Sequence, residues 1–426
     1  MNVLNIRHPE PDIAGGAHPR DPQVEKPKYS ATTLQHSIDQ VVGFNLYARS
    51  AASSKTESGR RGLVLNATLN RFDILLQSPS KGGVQASNTV GETVGRLNLC
   101  WFMIPNDFVA RPDHDPPVHR LDATISQRFV IQEAIFTFGE GRDGFRGFAT
   151  GRTFPAMIGN QPRVVAAAIG NVIEGFGKFQ GHDGNFTICG DLQPDAFEGH
   201  ILVRIIDSAG NLRTQAELPA VQAQANPAPQ TTFLQWGAQK GEGADQENRF
   251  SIGPDGQPRG LNIPTQLKLL HLDFASNGEF QGRDFVMGDA IGSEVGFGKG
   301  SVPGASLAGT SLSPFLFDGV AKYSFRDNTG KTIGSVTTNV LEGRRFDMKL
   351  PGASSPPALR FGFFGPIVCG TGCFQGVEGI FYGATGSVLM PPPGIHVITH
   401  FYAARIHDPQ GKFRTGITDH GDLESK

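Results

Sequence analysis

The sequence contains one pattern twice. EGFGKFQGHDG (174–184) and CGTGCFQGVEG (369–379) share Gly175, Gly177, Phe179, Gln180, Gly181 and Gly184, which recur at one constant offset as Gly370, Gly372, Phe374, Gln375, Gly376 and Gly379. Downstream, RIIDSAGNLRT (204–214) recurs as RIHDPQGKFRT (405–415). Upstream, VGETVG (90–95) resembles IGSEVG (291–296), and Phe138 and Gly147 recur as Phe325 and Gly334. The matches keep one order in both halves, so the chain reads as a tandem duplication, and any fold assigned to one unit must serve the other.

Each unit is a run of short, strand-like segments. In the first these include LVLNATLNRFDILLQ, RLNLCWFMI and GHILVRIID; in the second, FLFDGVAKYSF, LRFGFFGPIVCG and IHVITHFYAARIHD. Turn sequences such as EGRDG, DNTGK, DSAGN and DPQGK separate them. Glycine, at 55 of 426 residues, is about twice its average usage. It costs roughly 1 kcal/mol per helix-interior site relative to alanine, which argues against a helical bundle. Seven or eight antiparallel strands per unit suit a closed barrel, which leaves no exposed sheet edge. The expected fold is therefore all-β: two tandem antiparallel barrels, each of about eight strands.

Domain boundaries follow composition. Residues 1–60 are polar and rich in Pro, Gly and Ser, and read as a mobile N-terminal arm, apart from a short pattern at Leu34–Tyr47 that reads as a docked strand or helical turn. Residues 61–214 form the first barrel. Residues 215–262, rich in Pro, Gln and Gly, read as a linker. The second barrel spans 263–418, and 419–426 is a tail.

Net charge is −2, so no charge field points to nucleic acid. No stretch approaches the ~18 apolar residues that span a bilayer, and no signal-peptide pattern opens the chain, so a cytoplasmic location without membrane insertion is expected. The four cysteines, Cys100, Cys189, Cys369 and Cys373, contain no C-x-x-C pair and form no disulfide framework.

The glycine motif is not a phosphate loop. Such a loop follows a strand and opens a helix, whereas NFTICGDL and IFYGATGSVL continue as strands. CGTGCFQGVEGIFYGATGSV (369–388) instead resembles the glycine-rich hairpin of the allene oxide cyclase and dirigent barrel superfamily, with EGFGKFQGHDGNFTICG (174–190) the weaker match. That resemblance implies an eight-stranded barrel with an apolar cavity. It also implies cofactor-independent cyclisation of a reactive lipid epoxide, or the steering of phenoxy-radical and quinone-methide chemistry. The chain departs from the family in fusing two units and, relative to dirigent proteins, in lacking a secretion signal. The family's catalytic carboxylate aligns to no residue here.

Candidate site residues come from strand periodicity. In IHVITHFYAARIH one face carries His396, Ile398, His400, Tyr402, Ala404 and Ile406. Matched on Arg204 and Arg405, Tyr402, Ala404 and Ile406 correspond to Ile201, Val203 and Ile205, so this face should point inward. His400 and Tyr402 are then a candidate proton-transfer pair, with His271, Asp273 and Glu294 as candidate partners; a core histidine bonded to a neighbouring strand is the competing structural role. Asp73 and Glu92 are weaker candidates in the first repeat. Asp207 and Asp408 open D-x-x-G turns and read as structural. Prolines break up RPDHDPPVHRLD, which favours an extended loop over a metal site. The expected function is a cyclase or isomerase that takes a small hydrophobic substrate and needs no cofactor or metal. The alternative is a non-catalytic binding or structural barrel protein. Homo-oligomerisation stays open.

Overall fold

A computed structural model describes residues 41–77, 84–104, 127–207, 210–213, 230–240, 265–271, 286–300, 312–314, 316–348, 358–390 and 395–413. These residues are almost entirely strand. The first eight form a closed antiparallel barrel: β1 (Val41–Glu57), β2 (Arg60–Gln77), β3 (Gln85–Met103), β4 (Gln127–Phe138), β5 (Asp143–Ile158), β6 (Gln161–Phe176), β7 (Asp183–Leu192) and β8 (Ala196–Ile206). Closure runs through β1 and β8, where Phe44 faces Val203.

The second sheet contains β9 (Thr231–Lys240), β10 (Thr265–His271), β11 (Val286–Gly300), β12 (Leu312–Pro314), β13 (Leu316–Arg326), β14 (Thr332–Val340), β15 (Glu342–Met348), β16 (Ala358–Gly372), β17 (Gly379–Met390) and β18 (Ile395–His407). These ten strands form one sheet, and a further β16–β17 ladder returns it on itself. β12 and β13 are one residue apart, as are β14 and β15; β12 pairs with β15 and β13 with β14, so β12–β13 and β14–β15 are each one interrupted course. With those courses merged, the second unit repeats the strand order of the first.

Two boundaries differ from expectation. Residues 41–57, placed by composition in the arm, are β1, and residues 231–240, placed in the linker, are β9. β1 is buried on both faces over residues 41–48, and β9 over residues 231–237. They therefore lack the apolar–polar alternation that marks a half-exposed strand, and polar neighbours disguise them further.

The duplication also acquires a corrected register. Ala48, Leu69, Gly95 and Phe138 lie side by side across β1 to β4. Ala238, Leu267, Gly292 and Phe325 do the same across β9, β10, β11 and β13. Gly95 thus corresponds to Gly292, and VGETVG corresponds to MGDAIG (287–292) rather than IGSEVG. Glycines at 288, 292 and 296 repeat the same spacing, so the sequence alone admits either alignment.

The glycine motif closes one end of each barrel. Gly177 has φ +60°, and a Cβ there would lie 2.4 Å from the Arg142 carbonyl oxygen. The resulting 3₁₀ turn, Gly177–Phe179, drives Phe179 into the core against Phe138 and Phe145, with ring centroids 5.4 and 5.5 Å away. Phe374 repeats this against Phe325 and Phe413 at 4.9 and 5.3 Å. The turn's N–H groups are spent within the protein: Gln180 and Gln375 donate to the carbonyls of Gly177 and Gly372, Lys178 to Asp143 Oδ1 and Cys373 to the Ile333 carbonyl. Asp207 accepts from the N–H groups of Asn211 and Leu212, and Asp408 from those of Lys412 and Phe413, which seats Leu212 and Phe413 beside the two plugs.

The barrels interlock. The β2–β3 hairpin projects from the first barrel, and its Leu76, Val84 and Ala86 join the second core. Ala86 N–H donates to the Phe413 carbonyl at 2.6 Å, and Asn88 exchanges two hydrogen bonds with the Phe233 backbone.

Candidate functional site

The two interiors differ in chemistry. The first is lined by aliphatic and phenylalanine side chains, including Phe44, Phe136, Phe138, Phe145 and Phe186. Between Trp101, Phe129 and Phe197 it leaves a cavity of about 10 Å³, the space of one water-sized sphere. Among the described residues this barrel is filled by its own side chains.

The second interior holds polar atoms. Tyr402 and His400 are buried, and the Tyr402 hydroxyl hydrogen-bonds His400 Nδ1. Their neighbours are aromatic: Tyr402 lies 5.2 Å from Tyr323, 5.3 Å from Phe381, 5.7 Å from Phe363 and 6.1 Å from Trp236 between ring centroids. Ala404 and Ile406 share this core, so the described part of the β18 face points inward. The corresponding positions in the first barrel are Gly199 and Ile201, since Gly199 faces Ala48 on β1 and His400 faces Ala238 on β9. There Phe197 packs over Gly199.

Of the other nominated residues, Glu294 and His271 are placed by strand register. The ladder sets Glu294 opposite Thr265 and Tyr323, and His271 opposite Val286. Thr265 and His271 lie at opposite ends of β10, a separation of about 20 Å at strand rise. His400 sits level with Leu267, between them, through Ala238. Asp273 lies outside the described residues, as does RPDHDPPVHRLD. In the first repeat, Arg71 lies 3.5 Å from Asp73 and 3.9 Å from Glu92, so both carboxylates serve a charge cluster. All four cysteines are free thiols.

A second polar cluster, not anticipated from the sequence, lies between the barrels. The Tyr382 hydroxyl donates to His200 Nδ1 at 2.5 Å, and His200 Nε2 donates to Asn45 Oδ1 at 2.9 Å. Asn45 Nδ2 then donates to Gln235 Oε1 at 2.7 Å. Because the Asn45 amide nitrogen serves Gln235, its oxygen faces His200, which fixes the neutral Nε2–H tautomer. Complete burial, aided by the Arg405 charge, lowers the His200 pKa to about 3. Arg405 clamps Asp191 with two hydrogen bonds of 2.9 and 2.5 Å, and Arg163 adds a third at 2.9 Å. Burial opposes the Arg405 charge, but Asp191 outweighs it and holds the guanidinium pKa above its usual value. Burial also pushes the adjacent Cys189 thiol up to about 12, which keeps it protonated and unreactive. Around these groups Phe154, Val165, Ala167, Ile169, Phe364 and Tyr382 form an apolar seam. The sequence signal for this cluster is GHILVRII in β8: apolar residues occupy both strand faces, as in a strand buried on both sides.

Comparison with protein-family models, characterised proteins and solved structures gives no match. Among the described residues no helix is long and apolar enough to cross a membrane.

Proposed function

We propose that the second barrel is the working half, and that it takes a small hydrophobic molecule on which His400 and Tyr402 move a proton. The reaction class is a cyclisation or isomerisation that needs no cofactor. The observation that carries this reading is the Tyr402–His400 hydrogen bond inside a barrel whose duplicate has Gly199 and Ile201 at the same positions. A buried imidazole and phenol must keep their hydrogen bond or cost roughly 1–3 kcal/mol each, a constraint that the apolar solution of the first repeat does not carry. Imidazole and phenol are side chains that can hand a proton to, or take one from, a substrate oxygen or carbon. The glycine-hairpin resemblance at 369–388 supports the same class. Terpenoids, polyketides, lipid epoxides and phenylpropanoids are the candidate substrate classes.

The filled first barrel favours a second reading, a non-catalytic scaffold, since ligand sites ordinarily offer ~300–1,000 Å³. Metabolite profiling separates the two. A deletion strain that accumulates a precursor, cleared by the parent gene but not by His400→Ala or Tyr402→Phe, supports the proton-transfer site. An unchanged metabolite profile in the deletion strain, or full rescue by both variants, supports the scaffold.

A further inference from the structure

We infer that each barrel carries one and the same docking face, whose partner is a second barrel of this fold, and that Asp191 commits the second barrel to the first. The faces correspond residue by residue. Arg204 lies opposite Asn185 in the first barrel, and Arg405 lies opposite Ile380 in the second. Counting along β7 and β17 from these pairs matches Thr187 to Tyr382 and Asp191 to Gly386. Asn45 faces Leu202 and Gln235 faces Ala403, which matches Asn45 to Gln235.

Asn45 and Gln235, equivalent residues, bond directly to one another. Ile169 and Phe364 are equivalent through Thr187 and Tyr382, and both lie in the seam. A Cβ on Gly362 would fall 2.6 Å from Ile169, and Ala167, the counterpart of Gly362, packs in the same cluster as Phe364. Residues that meet their own counterparts define a two-fold axis. The axis follows one row across the strands: Asn45, Leu202, Thr187 and Ile169 on one side, Gln235, Ala403, Tyr382 and Phe364 on the other. This is the geometry of an isologous dimer, here made by two halves of one chain.

The substitutions between repeats select the pairing. In this arrangement Arg405 meets Asp191. In a pair of second barrels Arg405 would meet Gly386, leaving a buried guanidinium without its carboxylate on both sides. His200 meets Tyr382, and in that same homotypic pair Phe401 would take the place of His200 and leave the Tyr382 hydroxyl without its acceptor. The second barrel is therefore committed to the first.

The test uses the full chain with a specific protease site placed in the segment 214–229. After cleavage, the expected result is a one-to-one complex of both fragments by size exclusion and native mass spectrometry. In Asp191→Arg, cleavage should release the fragments, while the uncleaved variant keeps a strand-type circular dichroism spectrum. Separation of the parent fragments after cleavage, precipitation of one of them, or self-association of the second-barrel fragment overturns the inference. So does an Asp191→Arg complex as tight as the parent's.

Discussion

The Tyr382 hydroxyl and His200 Nδ1 meet at 2.5 Å across the seam between the barrels, with the imidazole held neutral by its bond to Asn45. Neither ring nitrogen has room for a further proton without breaking a bond. Once exposed by unfolding, His200 regains a pKa near 6.5; in the fold it is about 3. Its contribution to stability is complete above pH 6.5 and falls as pH drops below it, because only the opened state takes up the proton. Near pH 4.5 the loss attributable to this residue is roughly 2–3 kcal/mol. Urea titrations of the parent and of His200→Asn at pH 7.5 and 4.5 check it: the parent should lose more stability on acidification than the variant, by about this amount.

His182 predicts a slope of opposite sign. Its Nε2 lies 3.1 Å from Asp207 Oδ1, and Arg213 lies 3.7 Å from the other carboxylate oxygen. The hydrogen bond to Asp207 raises the His182 pKa, and burial only partly offsets it. Burial pushes the Asp207 carboxyl up, but bonds from His182 and from the Leu212 and Asn211 amides bring it below its usual value. A raised histidine contributes fully below its unfolded pKa of 6.5 and loses that contribution as pH rises through the folded pKa. The lowered carboxylate contributes above 3.8 and fails as pH falls through its own folded value. His182→Gln should therefore cost more stability at pH 5.5 than at pH 8.5. An equal cost at both pH values would remove the ion pair from the account of how this barrel end is closed.

The plug predicts a ranking among glycines. Gly177 and Gly372 both have positive φ, and a Cβ on either would lie within 2.4 Å of a backbone carbonyl oxygen. Gly181 and Gly376 also have positive φ, but open space surrounds them. Alanine at 181 or 376 should cost about 1 kcal/mol, the strain of the left-handed conformation alone. Alanine at 177 or 372 should cost more, roughly 2–4 kcal/mol, because the turn must also move and withdraw Phe179 or Phe374 from the core. Thermal melts of the four single variants give the order directly.

What was legible in the sequence follows from these elements. The plug motif and the D-x-x-G turns recur because each barrel end needs them, so they exposed the duplication and, with the strand runs, the all-β fold. Tyr402 read correctly as inward because its repeat partner Ile201 is apolar. β1 showed only as a short docking pattern at Leu34–Tyr47, and β9 not at all, because a stretch buried on two faces carries no alternation. The Asp191–Arg405 and His200–Tyr382 contacts were hidden for a different reason. Each joins residues some two hundred positions apart, and each replaces a residue type at one repeat only, so neither spacing nor repetition marks it. The glycine ladder around Gly292 carried its signal three times over and thereby lost its register.

The last prediction concerns Tyr402 and His400. Tyr402→Phe removes one hydroxyl and keeps the ring that packs against Tyr323, Phe363 and Phe381. If the hydrogen bond served packing alone, this variant would lose a single neutral bond, about 1 kcal/mol of stability, and nothing else. If the pair transfers protons, turnover of the accumulating metabolite falls at least tenfold, about 1.4 kcal/mol in the barrier, at unchanged fold. His400→Ala should do the same, with an added stability cost from the cavity it leaves. In the first barrel, Ile201→Val trims the counterpart of Tyr402 and should leave turnover as in the parent, since that interior is already filled. Measured melting temperatures and turnover for the three variants separate the cases. Unchanged turnover in Tyr402→Phe and His400→Ala, set against loss in Ile201→Val, would move the working site to the first barrel.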